Sequence, residues 1–237
     1  MTVLDNTNDQ AGPGWIIPDC VNYIGCYQIW VDDGGYVGMN EKFFDLKSEK
    51  QDRIINASLH VFSVNGFKHA STDTIVSEAG ISKGLLFHYF VSKQGLYEFL
   101  MDYCVRYMLF EIGRTVGNEE RYFEFQEKLQ SAKINILRNY PYMNEFMKKA
   151  SADRAAGIAG DYAPIDKYNA SMTSMMNSLK MPPLNTGISA SQLDNLVNYT
   201  INGISAEEFS QAVLDADRLN DKIIEYLRLI RSMVVKA

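Results

Sequence analysis

The run "STDTIVSEAGISKGLLFHYFVSKQGLYEFL", residues 71–100, sets two short apolar-periodic segments on either side of a three-residue break, Gly80-Ile81-Ser82. Few local folds satisfy that spacing. Ile75, Val76 and Ala79 mark one short helix, with Thr72 placed as its N-cap and Gly80 as its stop, because glycine enters the left-handed conformation without a Cβ clash. Ser82 caps a second helix at once, and Leu86 and Phe90, four residues apart, share its inner face. Two short helices with so brief a turn, opened by glycine, form a helix-turn-helix.

Helical periodicity runs through the rest of the chain. Ile54, Ala57 and Val61, reinforced by Ile55, Leu59 and Phe62, predict a helix over about 47–64 that Asn65-Gly66 ends. After Ser92, the residues Leu96, Phe99, Leu100, Tyr103, Tyr107 and Phe110 line one face of a long amphipathic helix. Further helices are expected near 119–139, 141–157 and 164–180. Ser189 with Gln192 forms a capping box that opens a helix carrying Leu193, Leu196, Val197, Ile201 and Ile204. The last helix, about 217–236, carries Leu219, Ile223, Tyr226, Leu227 and Ile230. No credible strand pairing follows residue 40, so the expected fold class is all-α.

Charge distribution says more about partners than the net charge of −6. Residues 1–40 hold five acids and no base, whereas residues 41–93 hold seven Lys/Arg against six Asp/Glu, with His60, His69 and His88. The helix-turn-helix region is thus the one segment with a positive balance. No run of about 18 apolar residues suggests a membrane span, and no Lys or Arg precedes Lys42 to start a secretory signal. A cytoplasmic protein with no membrane partner is expected. Cys20, Cys26 and Cys104 match no zinc or redox spacing, so neither a metal nor a cofactor is expected. Residues 1–38, with both tryptophans, read as an atypical, poorly ordered extension; the alternative is an arm for an extra contact.

In the second short helix, Phe87, His88, Tyr89 and Phe90 run in succession around the axis, more than one buried stripe can hold. With Leu86 and Phe90 inward, Gly84, Leu85 and His88 point away and Lys83, Phe87 and Tyr89 flank them. Such a face suits a DNA major groove. Gly84 lets the backbone approach, the amides after Ser82 and Lys83 meet phosphate, Leu85 and Phe87 offer apolar contact, and His88 and Tyr89 reach base edges or phosphate. Lys93 is placed for another phosphate. Both lysines stand at helix N-termini, where a cation is unfavourable and an anionic partner would resolve the conflict. The plainer alternative is a hydrogen-bonded structural His88 and solvated lysines.

These residues resemble the DNA-binding segment of the TetR family of bacterial transcription regulators. Gly80, Ile81, Ser82, Lys83, Gly84, Leu86, His88, Tyr89, Phe90, Ser92 and Lys93 stand where that family's run has them. Leu85 and Phe87 depart from it, replacing the usual threonine and tyrosine and removing two hydroxyls. The close match covers about residues 48–100. The resemblance implies that Thr72 touches backbone phosphate and that Lys83, Gly84, His88, Tyr89 and Lys93 lie at the DNA interface. It also implies a ligand cavity within the C-terminal helices, for which Tyr103, Tyr107, Met143, Phe146, Met147, Met175 and Met176 are candidate lining residues. The alternative for each is ordinary core.

The expected organisation is an extension over 1–38, a three-helix DNA-binding domain over 39–92, and a helical effector-binding and dimerisation domain over 93–237. The expected function is a ligand-responsive regulator, a repressor by resemblance, that binds double-stranded operator DNA as a homodimer and is released by a small, largely apolar effector. The two C-terminal helices are the expected dimer contact. No His-Glu-x-x-His, Gly-x-Ser-x-Gly or phosphate-loop motif points to an enzyme. Two other readings stay open: a DNA-binding activator without an effector, and an enzyme or carrier using the helical cavity.

Overall fold

The structure, a computed structural model, describes residues 41–211 and 214–236. The extension expected over 1–38 lies outside the described residues, as do Cys20 and Cys26. Among the described residues a short 3-10 turn, Glu41–Phe43, precedes nine α-helices: α1 (Ser48–His69), α2 (Thr72–Ala79), α3 (Lys83–Phe90), α4 (Lys93–Val116), α5 (Tyr122–Asn139), α6 (Met143–Ala155), α7 (Ala163–Asn177), α8 (Ala190–Phe209) and α9 (Ala216–Val234). No strand occurs among the described residues, only isolated bridges pairing Arg121 with Lys180 and Leu184 with Val235. The fold is all-α.

Caps set the boundaries largely where the sequence places them. Ser82 Oγ accepts from the Leu85 amide at 3.2 Å and Ser92 Oγ from the Gly95 amide at 3.0 Å. Gly80 takes the left-handed conformation, and the Ser189–Gln192 capping box is formed. One cap differs. Ser71, not Thr72, caps α2, with its Oγ accepting from the Asp73 and Thr74 amides; Thr72 is the first helical residue. The expected stop at Gly66 is a break rather than an end. Gly66 has φ 66° and ψ 174°, yet hydrogen bonding resumes as far as His69. An added Cβ at Gly66 would meet the flexible end of Lys149 at 2.7 Å, which can move aside, so it is the positive φ that calls for glycine there.

The largest core cluster joins α1–α4 to α6 and the start of α7, through Ile54, Phe62, Leu86, Phe90, Phe99, Met143, Phe146 and Ile165. Residues on both sides of position 92 share it. Phe43 is fully buried, its ring 5.6 Å from Tyr89, 5.0 Å from Phe90 and 5.5 Å from Phe99. A second cluster packs α5 against α8 and α9 through Phe123, Ile134, Leu193, Val197, Ile223 and Leu227. A third, with Ile112, Val116, Phe125, Leu129 and Ala132, lies between α4 and α5 and is covered by α7. No helix among the described residues is long and apolar enough to cross a membrane.

Candidate nucleic-acid interface and effector region

The helix-turn-helix buries Leu86 and Phe90 at 1% and 0% exposure, which fixes the rotation of α3. Ser82, Lys83, Gly84 and His88 are then exposed, and Leu85 and Phe87 partly buried. A Cβ at Gly84 would meet nothing within 4 Å. Internal packing therefore does not require glycine there, and the backbone of α3 is open to solvent at this position. Tyr89 departs from the expected flank position: it is 7% exposed, its ring edge-on to Phe43 and within 5.2 Å of the His88 ring. Phe43, from a segment without helical periodicity, supplies the apolar wall that draws the tyrosine inward.

The cations at the helix starts have partners within the protein. Lys83 Nζ pairs with Asp73 Oδ1 of α2 at 2.8 Å, an exposed contact. Lys93 Nζ donates to Ala70 O at 3.1 Å and Lys68 O at 3.4 Å and lies 4.8 Å over the Phe67 ring. The positive end of α4 is thus answered by the carbonyls that close α1. An ammonium has three donors, so one remains for a phosphate, but the conflict at these N-termini does not by itself call for DNA. Lys68 and His69, both exposed, stand at the same junction. Sequence reasoning gives His69 only a structural or surface role, because the meeting of the end of α1 with the start of α4 is a tertiary contact, seen in Lys93 on Ala70 O and in the Phe67 and Tyr97 rings 5.0 Å apart.

The expected effector residues fall into two places rather than one. Met143 and Phe146 are fully buried, and Tyr103 and Met147 are 8% exposed, all in the largest core cluster. Tyr103 and Tyr140 hydroxyls lie 2.5 Å apart, and the Tyr140 hydroxyl donates to Asp52 Oδ1 of α1 at 2.9 Å. Tyr107 stacks on Tyr103 and meets Tyr140 edge-on, its hydroxyl accepting from Asn139 Nδ2 at 2.8 Å. These rings fasten α4 and the end of α5 to α1. Burial, then the neighbouring Tyr103, pushes the Tyr140 hydroxyl far above its usual pKa, so it stays protonated as a donor.

Met175 and Met176 lie elsewhere, partly buried on α7 against the third cluster. They face α5, whose interior carries Gln126 and Gln130, 4% and 3% exposed. A cleft of about 590 Å³ is lined by Thr115, Glu127, Lys128, Ser131, Asn220, Asp221, Ile224, Glu225 and Arg228, on α4, α5 and α9. None of the seven expected residues lines it, and its wall is charged. Among the described residues no group of His, Cys, Asp and Glu could hold a metal.

A helix-turn-helix with an exposed, glycine-bearing second helix, held on a larger all-α body, defines a DNA-binding regulatory protein. Residues 54–100 match the family model described as bacterial regulatory proteins, tetR family. This segment is thus similar to the DNA-binding segment of the TetR family. The chain is 36% identical over 73 residues to the HTH-type transcriptional regulator YerO of Bacillus subtilis, covering 31% of this chain and 24% of that protein. It is 48% identical over 44 residues to the HTH-type transcriptional regulator UidR of Escherichia coli K12, covering 19% of this chain and 22% of that one. The chain thus matches about a quarter of the length of these relatives.

Beyond that segment the likeness is one of fold. A TetR family transcriptional regulator from Chloroflexus aurantiacus superposes with a TM-score of 0.59 at 16% identity, over 85% of this chain and all of that one. The ketosteroid transcriptional regulator KstR2 of Mycobacterium tuberculosis does so with a TM-score of 0.62 at 15% identity, over 81% of this chain and 97% of that one.

Proposed function

We propose that the chain is a ligand-responsive repressor that binds operator DNA as a homodimer. Residues 39–92 form the DNA-binding domain, and residues 93–237 form the effector-binding and dimerisation domain. The observation that carries the reading is the outward face of α3, with Gly84 and His88 exposed to solvent while Leu86 and Phe90 anchor the helix in the core. Lys83, Gly84, Leu85, Phe87 and His88 approach the groove, the remaining Lys93 donor meets phosphate, and Ser82 orders the first amides of α3. Thr72 and the Tyr89 hydroxyl contribute backbone contacts at the edge.

Dimerisation is supported by apolar side chains that the core leaves out. Leu196 and Tyr199 on α8, and Tyr226, Leu229 and Met233 on α9, are 41–73% exposed. The last three recur at i, i+3 and i+7, a stripe beside the one that α9 buries. A second copy covering this face would form a four-helix bundle. Two recognition helices then address two half-sites about 34–36 Å apart. A single weakly basic module would bind feebly at physiological salt.

Release follows from shared packing. Because α4 and α6 share one core with α1–α3, an effector that shifts either helix changes the separation of the two α3 helices. A hundredfold loss of operator affinity needs about 2.7 kcal/mol of preference for the non-binding arrangement. Fluorescence anisotropy with DNA from upstream of the chain's own gene, against a scrambled duplex and at several salt concentrations, tests the reading. Sequence-dependent binding at two chains per site is expected. Equal, weak, salt-sensitive binding to both duplexes counts against it.

A further inference from the structure

One stripe of α5 is absorbed by neither apolar cluster on its flanks. Gln126, Gln130 and Lys133 follow at i, i+4 and i+7, which gathers them within about 60° of the helix circumference. On one side Phe125, Leu129 and Ala132 join the cluster with α4; on the other Phe123, Ile134 and Leu137 join the cluster with α8 and α9. The stripe therefore runs along the seam between two apolar clusters. Met176 and Leu179, from the end of α7 and just beyond it, pack against both.

Its three side chains present donors without adequate acceptors. Gln130 is 3% exposed and its Nε2 has no hydrogen-bond partner. Gln126 is 4% exposed, and its Nε2 donates to the Met176 thioether at 3.8 Å, a weak acceptor, with the Tyr122 hydroxyl nearby. Lys133, partly buried, has no ion pair or hydrogen bond among the described residues. Burial holds its ammonium below the usual lysine range, the response of a cation that lacks an acceptor. Buried polar groups in folded proteins are ordinarily paired, and an unpaired buried donor or charge is costly. Gln130 is such a donor, and a weakly paired Gln126 and a partly buried, unpaired Lys133 share its arc.

We propose that this seam holds the head group of the effector, and that the effector is an amphiphilic carboxylic acid. Its carboxylate accepts from Lys133 Nζ and Gln130 Nε2, and its apolar body lies along Met172, Met175 and Met176. The inference rests on the ligand-responsive reading above. One cation balances one carboxylate, whose two oxygens accept about four hydrogen bonds; a phosphate would leave a charge unbalanced in a site with few cations. Tyr122 and Asp194 mark the other end of the stripe, where burial and then the Asp194 charge raise the Tyr122 hydroxyl above its usual pKa. That negative charge directs the head toward Lys133. Methionines, unbranched and polarisable, suit a variable apolar tail.

Isothermal titration calorimetry of the full chain with decanoate, methyl decanoate and decanol tests the proposal, repeated on Lys133→Met. Decanoate is expected to bind at least about tenfold more tightly than either neutral compound, and Lys133→Met to abolish that preference. Ligand-free Lys133→Met is expected to melt no lower than the parent, because it loses a charge without a partner. Equal affinity for the ester, a preference that survives Lys133→Met, a marked drop in ligand-free melting temperature, or no binding in the series overturns the assignment. Operator release, measured in parallel, separates the two readings. Release by the neutral compounds alone removes the carboxylate and leaves ligand response standing. Decanoate binding with the expected preference but without release keeps the site and removes the response.

Discussion

The Tyr97 hydroxyl of α4 donates to the Asp153 carboxylate of α6 at 2.9 Å, and the same oxygen accepts the Phe67 amide of α1 at 2.8 Å. One carboxylate thus joins three helices where Gly66 interrupts α1. The Phe67 amide follows the break. Burial, and next Asp153, raise the Tyr97 hydroxyl far above its ordinary pKa, which keeps it a donor throughout the working pH range. Asp153→Ala leaves an amide and a hydroxyl without their acceptor. That costs about 1–3 kcal/mol, and a chain of this size loses about 2–4 °C in melting temperature per kcal/mol. Hydrogen exchange at the Phe67 amide is expected to accelerate while exchange in α9 stays as it was. Unchanged exchange at Phe67 would show that the latch carries no stability.

The burial of Tyr89 changes how the DNA face is tested. Tyr89→Ala removes an aromatic ring from the wall around Phe43, and large-to-small changes of this kind cost about 3–5 kcal/mol. Lost DNA binding in that variant would report unfolding. His88→Ala and Tyr89→Phe avoid the difficulty, since the first alters an exposed side chain and the second keeps the ring. His88→Ala is expected to lower specific operator affinity by about 1–3 kcal/mol, the range of a good base contact, with circular dichroism unchanged. Operator affinity equal to the parent's would remove His88 from the interface.

Val91, between α3 and α4, has φ 58° and ψ −45° and is 69% exposed. A β-branched side chain at positive φ is strained, and its exposure means that no packing offsets the strain. Val91→Gly is expected to stabilise the chain by about 1 kcal/mol or more, read as a higher urea midpoint at constant m. A lower midpoint would mean that the valine is held by contacts outside the described residues.

The exposed stripe on α8 and α9 gives a direct test of assembly. Tyr199→Glu with Leu229→Glu places charge on side chains 73% and 50% exposed, so the fold of one chain is expected to survive. Sedimentation equilibrium is expected to show a dimer for the parent and a monomer for the variant. Operator affinity is expected to fall by about tenfold or more, since the second half-site no longer binds intramolecularly. A dimer that persists would move the interface to another face.

The local rules were open to reading because they act within one turn or one helix. Ser82, Ser92 and Ser189 cap, Gly80 stops, and Leu86 with Phe90 fixes the rotation of α3; each depends on residues no more than four apart. Seven expected effector residues were chosen by type along their helices, and type does not show which cluster a face meets. Tyr103 and Tyr107 went to the contact with α1, and Met175 and Met176 to the wall facing α5. Gln126, Gln130 and Lys133 carried a usable signal, three polar residues on one arc with apolar residues on both flanks.

By itself the sequence determined the all-α class, the helix-turn-helix and its outward face, because helix period, caps and turn residues are local physics. Tertiary structure alone decided that Tyr89 turns inward against Phe43, that Asp73 and the end of α1 answer Lys83 and Lys93, that Asp153 bridges three helices, and that Lys133 lies in a seam without an acceptor. Each of these pairs residues from different helices. Their meeting depends on how whole faces pack to bury apolar surface, and no spacing along one chain encodes that angle.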